Sequence, residues 1–356
     1  MTGIRDLARH LDISIGTVSR ALNDKTDVNP ATRERVREAA ARLGYSANQS
    51  GRSLRRGQTD LVGVIVPTRR EQTLINPVFL SVLVGLRNCL SEHGLDLAVF
   101  LHGQDEELFG SLRRLTERGL VDGLIISQTQ HVDPRIDYLI EKRKPFVAFG
   151  RSLSGGDHAW VDPDFVTAVE SSVAMLAGIG HRRIALMLPD GDTHYLHLIL
   201  EAFQDAMKKR GLAVAPEFVQ RRAAGEGGGY LAGDALFATK DHPTAIVVSD
   251  AMQSLGLYRK LEESGLQPGR DVSLIGILPE ERAQILSPAL TTFQTDWTAI
   301  GVRLGEALLA AMGRIAVRRS DGAEEADPPP RPMLPSQSIM PVVLRPGESV
   351  HNLSSL

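Results

Sequence analysis

Short apolar segments alternate with amphipathic helical segments from Leu61 almost to the end of this 356-residue chain. This alternation limits the possible folds most, because strands buried on both faces read as apolar runs separated by crossover helices. The predicted strands are Leu61–Val66, Leu95–Leu101, Leu124–Ile126, Phe146–Phe149, Ile184–Leu188, Ala245–Val248 and Val272–Ile277. Predicted helices include Val78–Glu92, Glu106–Arg118, Val166–Ile179, Leu198–Lys209 and Met252–Ser264. More than six such units exceed one ordinary sheet, so we expect two similar doubly wound α/β lobes with parallel sheets.

Three short amphipathic helices are predicted before this alternation begins. In the first, Ile4, Leu7, Ala8 and Leu11 form one apolar stripe. A three-residue turn ending at Ser14, a good N-cap, precedes the second helix, Ile15–Leu22, and Asn29-Pro30 starts the third. Two helices joined by so short a turn are typical of an all-α helix-turn-helix headpiece.

The charge of this N-terminal segment distinguishes it from the rest of the chain. Residues 1–57 contain 11 Lys or Arg against 6 Asp or Glu, whereas the whole chain contains 40 against 43. A basic module on an acidic body favours a polyanionic partner for that module, because phosphate neutralisation drives nonspecific nucleic-acid binding. The simpler alternative is a small amphipathic helical cap without a partner.

Three motifs of this segment resemble the headpiece of the lactose/galactose repressor (LacI/GalR) family. They are Ile4-Arg-Asp-Leu-Ala-Arg-His-Leu, Ser14-Ile-Gly-Thr-Val-Ser-Arg-Ala-Leu-Asn and Val28-Asn-Pro-Ala-Thr-Arg-Glu-Arg-Val. The stretch from Leu43 through Thr59 looks like that family's hinge helix, and the match continues to Pro67. Beyond it, the chain resembles the family in layout up to about residue 345.

The resemblance implies a domain order. Residues 1–47 would form the headpiece, 48–58 the hinge and 59–345 a two-lobed regulatory domain like periplasmic sugar-binding proteins. Lobe 1 would comprise about 60–161 and 291–317, and lobe 2 about 162–290 and 338–345. The last strand is placed at Met340–Leu344. Residues 318–337 are rich in charge and proline, which predicts a flexible insertion, with a docking site for another protein as the alternative.

The second helix is the expected major-groove element. Arg20 is its exposed guanidinium and can pair with guanine or hold a phosphate. Ile15 and Gly16 stand where the family sets operator specificity, while Thr17, Ser19 and Asn23 are expected phosphate anchors, with solvated helix surface as the alternative for Thr17 and Ser19. The full predicted DNA-binding set is Thr2, Ile4, Ser14, Ile15, Gly16, Thr17, Ser19, Arg20, Asn23, Asn29, Thr32, Tyr45, Asn48, Gly51, Arg52 and Leu54.

The hinge segment is too short and polar to form a stable helix alone. Two copies meeting on DNA would order each other, and Leu54 would insert between bases of the minor groove. Gly51 stands where relatives carry alanine, which weakens the helix by about 1 kcal/mol and increases its dependence on DNA. A plain linker is the alternative.

The resemblance also implies an effector cleft between the lobes, lined by Asn76, Phe79, Ser127, Arg151, Trp160, His197, Ser249, Asp250 and Trp297. Polar groups for hydroxyls and an aromatic face for a ring are typical of sugar sites, which favours a neutral sugar or glycoside. Two positions depart from the family: His197 replaces an arginine, and Leu278 replaces an acidic residue. His197 could instead lie on the helix surface, and Phe79 and Trp297 could be interlobe core.

Other classes of function find little support. The glycine-rich stretch 225–229 lacks the Lys-Ser/Thr of a phosphate loop, and no nucleophile elbow or metal-ligand spacing occurs. The lone Cys89 predicts buried filler, no apolar run is long enough for a membrane span, and no signal peptide is recognised, so a cytoplasmic location is expected.

The sequence therefore predicts a homodimeric transcription regulator, most simply a repressor of a pseudo-palindromic operator, without enzymatic activity, cofactor or metal. The alternative is a DNA-binding regulator with a degenerate cleft, controlled by a protein partner or an anion.

Overall fold

The computed structural model describes residues 4–22, 27–44, 58–67, 77–102, 108–238, 240–277, 286–315 and 336–353. The chain divides into two compact units, Met1–Asp60 and Leu61–Leu356. Each unit has its own hydrophobic core.

The N-terminal unit contains three helices, α1 (Ile4–Leu11), α2 (Ile15–Leu22) and α3 (Pro30–Arg42), as the sequence predicts. Their apolar sides meet in a core made of Leu7, Ala8, Val18, Ala21, Val28, Val36, Ala39 and Ala40. Two caps fix the helix starts: the Ser14 hydroxyl accepts the Thr17 N–H at 3.0 Å, and the Asn29 side chain accepts the Ala31 N–H at 2.9 Å.

The larger unit alternates strands and helices in the predicted way. Its strands are β1 (Leu61–Pro67), β2 (Asp96–His102), β3 (Gly123–Ile126), β4 (Phe146–Phe149), β5 (Trp160–Pro163), β6 (Ile184–Pro189), β7 (Val219–Arg222), β8 (Ala245–Val248), β9 (Ser273–Gly276), β10 (Thr291–Gln294), β11 (Gln337–Met340) and β12 (Val343–Arg345). Its helices are α4 (Pro77–Glu92), α5 (Leu108–Glu117), α6 (Pro134–Glu141), α7 (Phe165–Gly178), α8 (His194–Lys209), α9 (Glu226–Leu236), α10 (Ala251–Glu263) and α11 (Trp297–Ala311), with a short 3-10 turn at Pro216–Phe218.

The strands form two sheets, and these define two lobes. The sheet of lobe 1 is parallel throughout, in the order β11-β5-β4-β3-β1-β2. The sheet of lobe 2 has the order β12-β10-β9-β8-β6-β7, and only the pairing of β12 with β10 is antiparallel. Separate apolar clusters lie on the two faces of each sheet, so both lobes are doubly wound, as expected.

The chain passes between the lobes after β5, between β10 and α11, and between β11 and β12. Two expected boundaries are therefore wrong. Residues 291–294 belong to lobe 2, because β10 pairs with β9 and Phe293 packs in the lobe 2 core. Residues 338–340 belong to lobe 1, because β11 pairs with β5.

The expected last strand, Met340–Leu344, is split at Pro341 between the two sheets. Gln337, assigned to the insertion, is the first residue of β11. Of the other insertion residues, Ser336 is described, and 318–335 lie outside the described part of the chain. Short β5 and polar β7 escaped the sequence analysis because neither is a continuous apolar run, although each completes its sheet by backbone pairing.

Glycines bring α4 and α11 unusually close together in lobe 1. A Cβ atom on Gly85 would lie 2.0 Å from the Thr298 carbonyl oxygen, and one on Gly301 would lie 2.0 Å from the Val82 carbonyl oxygen. Backbone therefore packs directly on backbone at this contact. Cys89 is buried beside it, as predicted, against Gly305.

Candidate DNA-binding surface and interlobe effector site

The exposed side of α2 carries the side chains expected to read DNA. Ile15 is 44% exposed, and the Gly16 position is open, with only the Ser14 hydroxyl within 4 Å of a Cβ built there. The Arg20 guanidinium is exposed and lies 3.7 Å from the Asp27 carboxylate. Since such surface pairs contribute at most about 1 kcal/mol, Arg20 can exchange this partner for a base or phosphate at little cost.

Several of the other predicted DNA contacts have structural roles. Ser14 and Asn29 cap helices α2 and α3, and Ile4 packs partly against the headpiece core. Ser19 and Thr32 are partly buried on α2 and α3. Seven members of the predicted set lie outside the described residues: Thr2, Asn23, Tyr45, Asn48, Gly51, Arg52 and Leu54.

In the larger unit, the carboxyl ends of the two sheets face each other. The loop after β3 meets the loop after β6 in an antiparallel bridge between Gln130 and Thr193. The His131 N–H donates to the Asp192 carbonyl at 2.9 Å, and the His194 N–H donates to the Thr129 carbonyl at 2.8 Å. The site expected between the lobes thus lies where ligands bind in doubly wound folds, at strand carboxyl ends.

Arg151 forms the polar centre of the lobe 1 side. Its Nε donates to the Asp162 carboxylate at 2.7 Å, and its guanidinium lies 5.6 Å from the Trp160 ring centroid. Burial raises the pKa of the Asp162 carboxyl, and the Arg151 charge opposes that rise. The second terminal nitrogen, Nη2, is buried and has no hydrogen-bond partner in the described structure.

The backbone before Arg151 is held by a glycine. Gly150 has φ +110°, and a Cβ there would lie 2.6 Å from the Thr129 hydroxyl. That hydroxyl donates to the Arg151 carbonyl at 2.8 Å. Any larger residue at 150 would therefore displace the loop that aims Arg151 toward the other lobe.

Ser249 and Asp250 lie at the end of β8 on the lobe 2 side. The Asp250 carboxylate caps α10 by accepting the Gln253 N–H at 2.8 Å. The Ser249 hydroxyl is fully buried and has no partner among the described residues. On the lobe 1 side, the Ser127 hydroxyl makes one weak hydrogen bond, to the Ile65 carbonyl oxygen at 3.5 Å.

His197 lies on α8, and its side chain is held by two neighbouring side chains. Its Nε2 lies 2.8 Å from the Asp192 carboxylate, and its ring stacks on that of His131 with a centroid distance of 4.1 Å. Because His131 belongs to lobe 1, this stack crosses between the lobes.

The three aromatic candidates for the effector site differ in what their rings pack against. Phe79 and Trp297 lie in the first turns of α4 and α11, and both pack partly against the lobe 1 core while remaining partly exposed. Trp160 packs against the other face of that sheet, and Arg151 covers its ring. Trp297 is therefore the better candidate for a ligand-stacking ring. Asn76 and Leu278 lie outside the described residues.

The sequence analysis missed four residues of this region: His131, Asp162, Asp192 and His194. His131 and Asp192 follow strands β3 and β6, and carboxyl-end loops are where polar residues of such sheets converge. Loop position was the signal that could have identified them, although the stack across the lobes is visible only in three dimensions.

Cys89, the single cysteine of the chain, lies buried in lobe 1. Burial raises the pKa of the Cys89 thiol to about 11, so it is not a poised nucleophile. Within the described ranges, no group of His, Cys, Asp or Glu side chains is arranged to hold a metal ion. No helix in the same ranges is long and apolar enough to cross a membrane.

Comparisons with known proteins agree with this architecture. Residues 3–48 match the bacterial regulatory proteins of the lacI family, and residues 173–335 match the periplasmic binding protein-like domain. The HTH-type transcriptional regulator AglR of Rhizobium meliloti (strain 1021) is 31% identical over 316 residues, which cover 87% of each chain.

Solved structures share the same fold. The lac repressor dimer bound to operator and the anti-inducer ONPF superposes with a TM-score of 0.82 at 21% identity, covering 98% of this chain and 99% of that one. The complex of the transcriptional regulator CelR with cellobiose gives a TM-score of 0.71 at 23% identity, covering 98% of this chain and 100% of that one.

A helix-turn-helix unit followed by a two-lobed, periplasmic-binding-protein-like unit defines a DNA-binding transcription regulator. The chain belongs to the lacI family of bacterial regulatory proteins. The predicted family, fold class and regulatory function are confirmed.

Proposed function

We propose that this regulator is a homodimeric repressor whose operator affinity is controlled by a neutral sugar or glycoside bound between its lobes. The observation that carries the proposal is two buried polar groups that have no hydrogen-bond partner among the described residues. Arg151 Nη2 comes from lobe 1, and Ser249 Oγ comes from lobe 2, each at the carboxyl end of its sheet.

Unpaired buried polar groups each cost about 1–3 kcal/mol, so a ligand that satisfies groups on both lobes stabilises the closed arrangement. Hydroxyl groups suit both atoms, because a hydroxyl accepts from the guanidinium and can donate to or accept from Ser249. The partly exposed Trp297 supplies an aromatic face. CelR, which shares the fold, is described as a complex with cellobiose.

Replacing Ser249 by alanine tests the site without threatening the fold. The lost hydroxyl has no partner within the described ranges, so thermal stability should stay level or rise. Sugar affinity, measured by calorimetry against a glycoside panel, should fall about tenfold. The matched control is Ser172→Ala, because the buried Ser172 hydroxyl donates to the Ala168 carbonyl at 2.7 Å within α7. It should keep full sugar affinity with little change in stability, because the Ala168 carbonyl keeps its helical N–H partner and alanine favours the helix.

Equal sugar affinity in wild type and Ser249→Ala would remove Ser249 from the site. A panel in which no sugar binds, but an anion or a protein partner does, would favour the second candidate function. That candidate is a regulator with a degenerate cleft. Its support is that His197, at a position where the family resemblance implies an arginine, is bound to Asp192.

The DNA side of the proposal depends on Arg20. Arg20→Ala should weaken specific operator binding by about 1–3 kcal/mol, because one guanidinium contact with a base is lost. Arg35→Ala on α3 removes an equal charge from an exposed position and should weaken specific and nonspecific binding alike. Gel-shift titration of operator and scrambled DNA at fixed salt separates the two outcomes, and unchanged specificity in Arg20→Ala contradicts the assignment.

The proposed homodimer is supported by exposed apolar side chains along one edge of lobe 1. Leu80 and Val84 on α4 are 47% and 52% exposed, and Val99 and Leu101 on edge strand β2 are 38% and 61% exposed. Apolar groups collected in this way mark an interface, and a two-fold dimer matches a pseudo-palindromic operator. We also propose a cytoplasmic location, because such a regulator must reach its operator DNA.

A further inference from the structure

The two lobes are joined by histidines as well as by backbone. His131 of lobe 1 lies against two imidazoles of α8 in lobe 2. Its Nδ1 is 2.9 Å from Nδ1 of His194, and its ring centroid is 4.1 Å from that of His197, with the planes inclined by 23°. The His131 and His194 rings are also stacked, 5.0 Å apart. Both backbone hydrogen bonds of the Gln130–Thr193 bridge flank this cluster.

This arrangement limits how many protons the cluster can hold. A bond between two Nδ1 atoms needs one N–H and one lone pair, so it breaks when both nitrogens are protonated. A charge on His197 and another on His131 would be stacked 4.1 Å apart and repel each other. Once one of the three imidazoles carries a positive charge, each further proton that binds to the cluster therefore opposes contact between the lobes.

The charged groups around the cluster do not remove this limit. Asp192, in the lobe 2 loop, faces His197 and can balance one positive charge. Arg151, from the loop after β4, adds positive charge near His194, and its own carboxylate partner, Asp162, is already paired. On the lobe 1 side, Asp133, two residues after His131, is bound to Arg135. Burial, followed by the charges of His131, Arg151 and His197, lowers the pKa of His194 to about 4.

We propose that His131, His194 and His197 form a proton-sensitive clasp between the lobes, which holds them together near neutral pH and releases them as the solution becomes acidic. The clasp needs no effector, so this inference goes beyond the proposed sugar response and does not depend on it. Acid would act on the same equilibrium between open and closed lobes as a ligand bound between them.

The direction follows from proton linkage. An imidazole in water titrates near pH 6.5, whereas His194 in the closed clasp titrates near 4, so the open form binds protons more readily. Closure is therefore fully favoured above about pH 6.5 and weakens as the pH falls toward 4. One coupled proton changes the opening equilibrium by at most about tenfold per pH unit.

Amide hydrogen exchange of the full-length, effector-free protein measures the clasp directly, because the His131 and His194 amides donate across the lobes. After correction for the intrinsic pH dependence of exchange, both amides should exchange about tenfold faster at pH 5.5 than at pH 7.5. In His194→Phe, an aromatic ring remains beside His131, but the imidazole whose pKa is lowered in the closed clasp is lost, so the two rates should differ by less than about twofold.

His194→Asn, which keeps a hydrogen-bonding side chain without an imidazole, serves as the second variant if phenylalanine does not fit. His93→Gln is the matched control, since His93 directly follows α4 and its side chain contacts only the Cys89 carbonyl among the described partners. It should keep the wild-type pH response. Flat wild-type rates between pH 7.5 and 5.5, or an unchanged pH response in both His194 variants, would overturn the clasp. Neither outcome bears on whether a sugar binds.

Discussion

The contact between α4 and α11 gives the most direct test of how lobe 1 is packed. A methyl group on Gly301 would lie 2.0 Å from the Val82 carbonyl oxygen and 2.7 Å from the Leu86 backbone nitrogen. Both neighbours are backbone atoms of a helix, so neither can turn away as a side chain would. Gly301→Ala must therefore push the two helices apart.

The size of the effect follows from these distances. Restoring an ordinary carbon–oxygen contact requires the helices to separate by about 1 Å, which weakens the packing of the whole lobe 1 core between them. Such overpacking costs about 3 kcal/mol, and the better helix propensity of alanine returns about 1 kcal/mol. The net loss of about 2 kcal/mol corresponds to a melting temperature lower by roughly 5 °C.

Calorimetry and urea unfolding at neutral pH check this value, with Gly227→Ala as the matched control. Gly227 is also helical, but nothing lies within 4 Å of a Cβ at that position. The control should be neutral or gain up to about 1 kcal/mol. A Gly301→Ala protein that melts at or above the wild-type temperature would refute the close-packing argument. Phe79 and Trp297, two of the proposed effector contacts, lie in the first turns of α4 and α11, so a separation should also alter effector binding.

Two further predictions concern buried ionisable groups. Arg151→Met should lower the free energy of unfolding by about 3–5 kcal/mol, because the Asp162 carboxylate, 2% exposed, loses its cation. Adding Asp162→Asn should recover much of that loss in urea titrations, and an Arg151→Met protein as stable as the wild type would contradict the buried pair. His181 donates and accepts between Thr244 and Ser273, and burial lowers its pKa to about 4, so acidification protonates the unfolded chain first. The free energy of unfolding should be constant above about pH 6.5 and fall by at most about 3 kcal/mol toward pH 4. The fall should be smaller in His181→Gln, and equal pH dependence of unfolding in wild type and variant would show that His181 does not carry the effect.

The local pattern of the sequence was sufficient for the headpiece and for most buried strands. Ile4, Leu7 and Leu11 repeat at helical spacing, and Ser14 and Asn29 are cap residues whose backbone bonds form within three positions. Such features depend on neighbours in sequence, so pattern alone predicts them. The motifs between Ile4 and Pro67 likewise identify the family without any knowledge of tertiary contacts.

The lobe boundaries could not be predicted in the same way. Thr291–Gln294 reads as a strand of either sheet, and its place in lobe 2 is decided by pairing with β9 and by the burial of Phe293 there. The split of Met340–Leu344 is similar, because β11 and β12 each find a partner strand in a different lobe. Strand partners are chosen by long-range packing, which leaves no local signature.

The sequence by itself thus determined the helix-turn-helix unit, the alternating α/β architecture and the residue types gathered at strand ends. Tertiary structure alone decided which of those polar groups are satisfied. Arg151 is paired with Asp162, and His197 is held by Asp192 and His131. In the described part of the chain, one buried nitrogen of Arg151 and the buried hydroxyl of Ser249 have no hydrogen-bond partner. Residues far apart in the chain meet only when both sheets close, and burial then fixes the energy of each polar contact.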